Sequence, residues 1–190
     1  MEYNHSYIKD GRLNIRVRIL IFFIGVAVLC IIRPWIAQHN YNRAVAFYSS
    51  KYHGKAIKHL EKTIFLSPKS IDAYNKLGSI YEQMDDYEKA IAIYKRSFKD
   101  NPENSTGYLR IGAYYATKNN DCTTAMKWFK KAVNADSKDW YAYTWLGSCY
   151  KSIGRNDLVL KNYYEMKEAF PENKKIDFLI KSFEDDITGE

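Results

Sequence analysis

The sequence predicts an all-α fold: a solenoid of about four helical hairpins with a capping helix, preceded by one transmembrane helix. Three observations predict it. Small and apolar residues recur with a period of 34 to 35 residues. Each copy reads as two amphipathic helices joined by a turn. Ahead of the copies, residues 19–32 form an apolar run without a charge. A lone hairpin cannot bury its apolar stripe, so it needs copies of itself on either side.

In chain order, residues 1–18 are polar and basic and predict a flexible tail or short juxtamembrane segment. Val17 on one side and Pro34, Trp35, Ile36 and Ala37 on the other extend the apolar run to about 18–20 residues, enough to cross ~30 Å of hydrocarbon. Residues 19–36 are therefore expected to be an uncleaved signal-anchor helix. Arg16, Arg18 and Arg33 are placed to snorkel, and Trp35 suits an interface. A core helix is disfavoured because no repeat needs an all-round apolar neighbour. Cleavage is disfavoured because residues 31–35 offer no small-x-small site. Lys9, Arg12, Arg16 and Arg18 precede the run, whereas Arg33 and Arg43 follow it. This imbalance predicts a cytoplasmic N-terminus, with the repeats across the membrane and periplasmic in a bacterium.

Residues 37–70 read as a degenerate first repeat. Ala44, Phe47, Ala56, Leu60 and Pro68 fall on the expected positions, while Asn40 and Arg43 replace large apolar residues. Such a helix could continue from the membrane helix with little break. Residues 71–104 form the clearest copy. Tyr74, Leu77, Gly78 and Tyr81 mark its first helix, and Tyr87, Ala90, Ile91, Tyr94 and Phe98 its second. Asp85 and Asp86 supply the turn and N-cap, and Pro102 is expected to stop the second helix. Residues 105–139 repeat the pattern through Tyr108, Ile111, Gly112, Tyr115, Ala125 and Phe129, and residues 140–173 through Tyr143, Leu146, Gly147, Tyr150, Tyr163 and Pro171. The last copy departs at Val159 and Met166. Residues 174–185 carry Ile176, Leu179, Ile180 and Phe183 on one face of a capping helix, with frayed residues after it up to 190.

Gly and Ala sit where two helices cross closely, with aromatics filling the space around them. This register resembles the tetratricopeptide repeat, whose pattern is W-x₂-L-G-x₂-Y…A-x₃-F…P. The resemblance implies that the first helix of each repeat lines a concave face on which a peptide docks. The corresponding positions are Tyr41, Tyr48, Asn75, Ser79, Glu82, Leu109, Ala113, Ala116, Tyr141, Thr144, Trp145 and Ser148. Lys76 and Arg110 would contact an acidic partner or stand as solvated charges. Tyr141 and Trp145 would anchor a ligand or pack on the second helix of the last repeat. Chaperone-binding members of the family hold a terminal carboxylate in a Lys and Asn clamp. Here only fragments of it match, at Asn75, Lys76, Ser79, Thr106 and Arg110.

Composition narrows the function classes. The net charge of +7 divides into +3 over residues 1–37 and +4 over the other 153 residues, with mixed signs and no basic recognition stripe. Nucleic acid is therefore not an expected partner. Cys30, Cys122 and Cys149 have no metal-ligand spacing. Antiparallel packing would bring Cys122 near Cys149, as a disulfide or as two small buried thiols. His5, His39, His53 and His59 share no ligand spacing, and no phosphate loop or nucleophile elbow occurs. Asn104-Ser105-Thr106 matches a glycosylation sequon, which Ser105 as a helix N-cap explains better. The reading is a non-enzymatic module without cofactor, metal or small-molecule substrate. It is expected to scaffold or assemble a protein complex at a membrane. Alternatives are a mitochondrial-import-type receptor for peptide segments and a constitutive subunit of a larger membrane enzyme.

Overall fold

Pro34 lies inside a helix. In the computed structural model, which describes residues 8–9, 12–13 and 15–188, helix α1 runs from Ile15 to Ser49. The apolar run and the first hairpin therefore share one helix, and the expected boundary at 36/37 falls within it. Pro34 has no N–H, so the carbonyl of Cys30 lacks its helical donor. Ahead of α1, strand β1 (Ile8–Lys9) pairs antiparallel with β2 (Arg12–Leu13), opposing Ile8 to Leu13 and Lys9 to Arg12. Part of the expected tail is thus a pair of short strands and part is helix; residues 1–7, 10–11, 14 and 189–190 lie outside the described residues. The chain divides into two compact units, Met1–Pro68 and Lys69–Glu190.

In the first unit α1 packs against α2 (His53–Leu66). The chain reverses through Lys51, whose φ is +62°. Ala37, Ala44, Ala56, Leu60 and Ile64 form the seam. Asn40 is buried in it and is satisfied on both sides. Its Nδ2 donates to the Ile36 carbonyl at 2.8 Å, and its Oδ1 lies 2.9 Å from His59 Nδ1. That pairing places the proton of neutral His59 on Nδ1. Burial, then the charges of Arg43, Lys62 and His39, hold the imidazole below its ordinary pKa. Arg33 does not simply snorkel: its Nη2 donates to the Phe65 carbonyl at 3.0 Å, close to the end of α2. The most apolar window of α1 holds no buried residue among those described.

The second unit is a run of three hairpins and a final helix. These are α3 (Ile71–Gln83) with α4 (Tyr87–Ser97), α5 (Ser105–Thr117) with α6 (Cys122–Ala135), α7 (Trp140–Ser152) with α8 (Asn156–Ala169), and α9 (Lys174–Thr188). Each helix packs on the next in sequence. Asp86, Asn104, Asp121 and Asp139 start α4, α5, α6 and α7 by accepting a hydrogen bond from the backbone N–H three residues on.

The glycines mark the crossings. A Cβ on Gly78 would lie 2.4 Å from Tyr94 Cζ, and one on Gly112 would lie 2.6 Å from Phe129 Cε1. The last crossing differs: Gly147 faces the buried Asn162, whose Nδ2 donates to the Tyr143 carbonyl at 3.0 Å, while Tyr163 is one step aside and meets Phe183 of α9 edge-on. Val159 and Met166 fill the core beside it. Other expectations are corrected here. Helix α4 ends at Ser97 and gives way to a turn over residues 98–100, ahead of Pro102. Asn104, not Ser105, caps α5. Helix α9 continues to Thr188, past the point where fraying was expected, with Ile176, Ile180 and Phe183 buried.

Candidate binding groove

Helices α5 and α7 approach each other at few points and leave a cleft of about 600 Å³ between them. Leu109, Ala113 and Trp145 give it an apolar floor. Thr106, Arg110, Lys138 and Tyr141 stand at its rim. Trp145 is set by its ring stacking on Phe129 of α6, at 5.8 Å between centroids, so it packs on the preceding repeat and not only on its own. Tyr141, one helical turn away, is 67% exposed. Five of the residues expected on the concave face, Leu109, Arg110, Ala113, Tyr141 and Trp145, thus line one cleft.

Its electrostatics follow from which charges are already engaged. Asp136 accepts from the Lys138 backbone N–H at 2.9 Å, and Asp139 from the Ala142 N–H at 3.1 Å. Arg110 leans on Glu82 of α3 at 3.6 Å with half of its side chain exposed. Glu82 also accepts from the Tyr94 hydroxyl at 3.1 Å. Two cations, Arg110 and Lys138, and two carboxylates, Asp136 and Asp139, thus line the cleft, and each carboxylate already accepts a backbone N–H. A second cleft of about 160 Å³ continues along α5 through Glu82, Tyr87, Ala113 and Tyr114.

The remaining expected positions behave differently. Asn75 is tied into the fold, where its Oδ1 accepts from Asn104 Nδ2 at 2.9 Å. Lys76 and Ser79 are half-buried on α3 and line neither cleft. Tyr41 and Tyr48 belong to α1 in the first unit, where the Tyr48 ring lies 6.1 Å from that of His53. Sequence reasoning missed Lys138 and Trp140, because they sit in an interhelical turn and at a helix start, outside the repeat consensus. Cys122 and Cys149 are free thiols. Ser152 Oγ donates to Cys122 Sγ at 3.3 Å, and burial, then the Cys122 hydrogen bond, pushes the Cys149 thiol up to about 12.

Comparison with known proteins agrees with this architecture. Residues 71–104 match the tetratricopeptide repeat family. The all-helical array is a tetratricopeptide-type solenoid, and such repeats are protein–protein interaction modules. The chain is similar to crystal structures of MamA (22% identity, TM-score 0.60, covering 73% of this chain and 81% of that one). It is also similar to YrrB, described as a TPR protein with an unusual peptide-binding site (19% identity, TM-score 0.54, covering 76% and 74%). At these identities the likeness shows the fold alone. Among curated proteins it is 25% identical over 108 residues to protein bimA of Emericella nidulans, and 28% identical over 113 residues to cellulose synthase operon protein C of Escherichia coli K12. Those matches take in 57% and 53% of this chain but only 13% and 10% of the relatives, so the chain spans a small part of their length.

Proposed function

We propose that this chain is a membrane-anchored interaction module, a scaffold or assembly factor for a membrane-associated protein complex. The α5–α7 cleft takes an extended segment of a partner protein, with an apolar or aromatic side chain on Trp145 and an acidic group toward Arg110 and Lys138. The observation that carries the reading is α1: its apolar half exposes Phe22, Phe23, Ile31 and Trp35 to no protein surface among the described residues. Nothing in water offsets the cost of leaving that surface open, whereas hydrocarbon does. In a bacterial inner membrane, the flanking charges put the N-terminus in the cytoplasm and the repeats in the periplasm. A constitutive structural subunit of a membrane enzyme is a second reading, favoured by the similarity to a protein named for a cellulose synthase operon.

The test is alkaline carbonate extraction of cell membranes combined with photocrosslinking from position 141. The expected result is a chain retained in the membrane pellet, with one dominant protein adduct that is lost in the Arg110→Glu variant. Release of the intact chain into the supernatant would refute the anchor, and an adduct indifferent to Arg110→Glu would refute the cleft. A partner that stays stoichiometric through gel filtration in detergent would select the subunit reading.

A further inference from the structure

The outer face of α2 has a composition that the packing of the first unit does not explain. Phe65 is 73% exposed, although Leu60 and Ile64 already fill the seam with α1. Lys58 and Lys62 precede it by seven and three residues, which places all three on one stripe of the helix, and all three are exposed. Glu61 is the only acidic residue in α2. The Arg33–Phe65 hydrogen bond sets the level of this stripe. Arg33 is where the apolar half of α1 ends, so Phe65 lies level with that end, as does Trp35, itself 70% exposed.

We infer that this end of the α1–α2 hairpin is a lipid-binding surface: Phe65 and Trp35 enter the boundary between headgroups and acyl chains of an anionic bilayer, and Lys58 and Lys62 engage its phosphates. The inference rests on the anchor reading of α1. Helix geometry gives the dimensions. Lys62 lies ~4.5 Å and Lys58 ~10 Å from Phe65 along the α2 axis. The headgroup layer on each side of the hydrocarbon is roughly 5–8 Å thick. Long lysine side chains reach it from both positions, and aromatic rings favour this depth. The contact would hold the hairpin against the bilayer by a second point besides α1.

The experiment uses the full chain reconstituted into vesicles of phosphatidylethanolamine and phosphatidylglycerol. The photoreactive residue p-benzoylphenylalanine replaces Phe65 in one sample and Phe23 in another, and mass spectrometry identifies the adducts. Lipid adducts are expected at both positions. The double variant Lys58→Glu, Lys62→Glu should lower the yield at 65 at least threefold and leave the yield at 23 unchanged. Lipid at 23 with none at 65, or a protein adduct at 65 in native membranes, would overturn the inference while sparing the anchor. A yield at 65 indifferent to the lysine changes would remove the electrostatic half. Absence of lipid at 23 would remove the anchor and the inference together.

Discussion

Tyr94 lies so close over Gly78 that the glycine has no room for a methyl group: a Cβ there would sit 2.4 Å from Tyr94 Cζ. Gly112 and Phe129 repeat the relationship at 2.6 Å. At Gly147 the nearest atom is the Asn162 amide at 3.1 Å. Alanine gains about 0.5–1 kcal/mol of helix propensity over glycine, whereas overpacking a core costs about 1–3 kcal/mol. Gly78→Ala and Gly112→Ala should each lose about 1–2 kcal/mol in urea unfolding. Gly147→Ala should be within about 0.5 kcal/mol of wild type. Equal losses at all three would contradict the packing described.

The Tyr94 hydroxyl gives an alkaline signature. Burial, then the Glu82 carboxylate, raises its pKa well above the ordinary phenol value. The folded state therefore keeps the proton that the unfolded chain gives up above about pH 10. Stability is fully present below that pH and falls as pH rises beyond it. Tyr94→Phe should remove up to about 1.4 kcal/mol per pH unit of this slope between pH 10 and 11. An unchanged slope would show that other tyrosines dominate.

Asn104 serves three elements at once. It caps α5 through the Gly107 N–H at 3.1 Å and donates to Asn75 Oδ1 and Ser97 Oγ, each at 2.9 Å. Asn104→Ala removes the cap and the bond to Asn75 and leaves Ser97 Oγ with only its bond to the Tyr94 carbonyl, and should cost about 2–3 kcal/mol by thermal or urea unfolding. Asn104→Asp retains the cap and should fall between. Because the side chain is buried, glycosylation at this sequon is expected to be absent in the folded protein, which mass spectrometry checks.

His59 gives the first unit an acid-side dependence of its own. His59 has a lowered pKa, so its contribution is present above about pH 6.5 and is lost as pH falls through the lower folded value. The protection of α2 amides, relative to their intrinsic exchange rates at each pH, should fall between pH 7 and 5, and His59→Leu should flatten that dependence. Faster exchange in the variant with the same pH response would rule His59 out.

In the cleft, Tyr141→Ala should weaken a captured peptide about tenfold, or about 1.4 kcal/mol. Its exposed ring supports nothing else, so stability should move by less than about 0.5 kcal/mol. Trp145→Ala should lower both, since its ring also rests on Phe129. Isothermal titration with the crosslinked segment, beside thermal melts, separates the two effects.

Much of this was legible in the sequence because the repeat is a local code. The glycine spacing located the crossings, and the apolar stripes located the helices from residue 71 onward. Legibility failed where a residue answers to a distant one. Asn40 reads as a defect in a degenerate repeat until His59 is placed beside it. Asn75 reads as groove-facing until Asn104 claims it. Tyr163 keeps the consensus position, yet Asn162 takes the place facing Gly147. Phe65 has no place in the repeat pattern, and only the packing of α2 against α1 shows that it faces outward.

Helix α1 runs continuously from its apolar half into the half that carries the first hairpin, with Pro34 at the passage between them. The two are therefore geared. One residue inserted between Arg33 and Ala37 would rotate every later side chain by about 100° and advance it by ~1.5 Å. Whatever angle the greasy end adopts, the hairpin turns with it as a crank turns with its shaft.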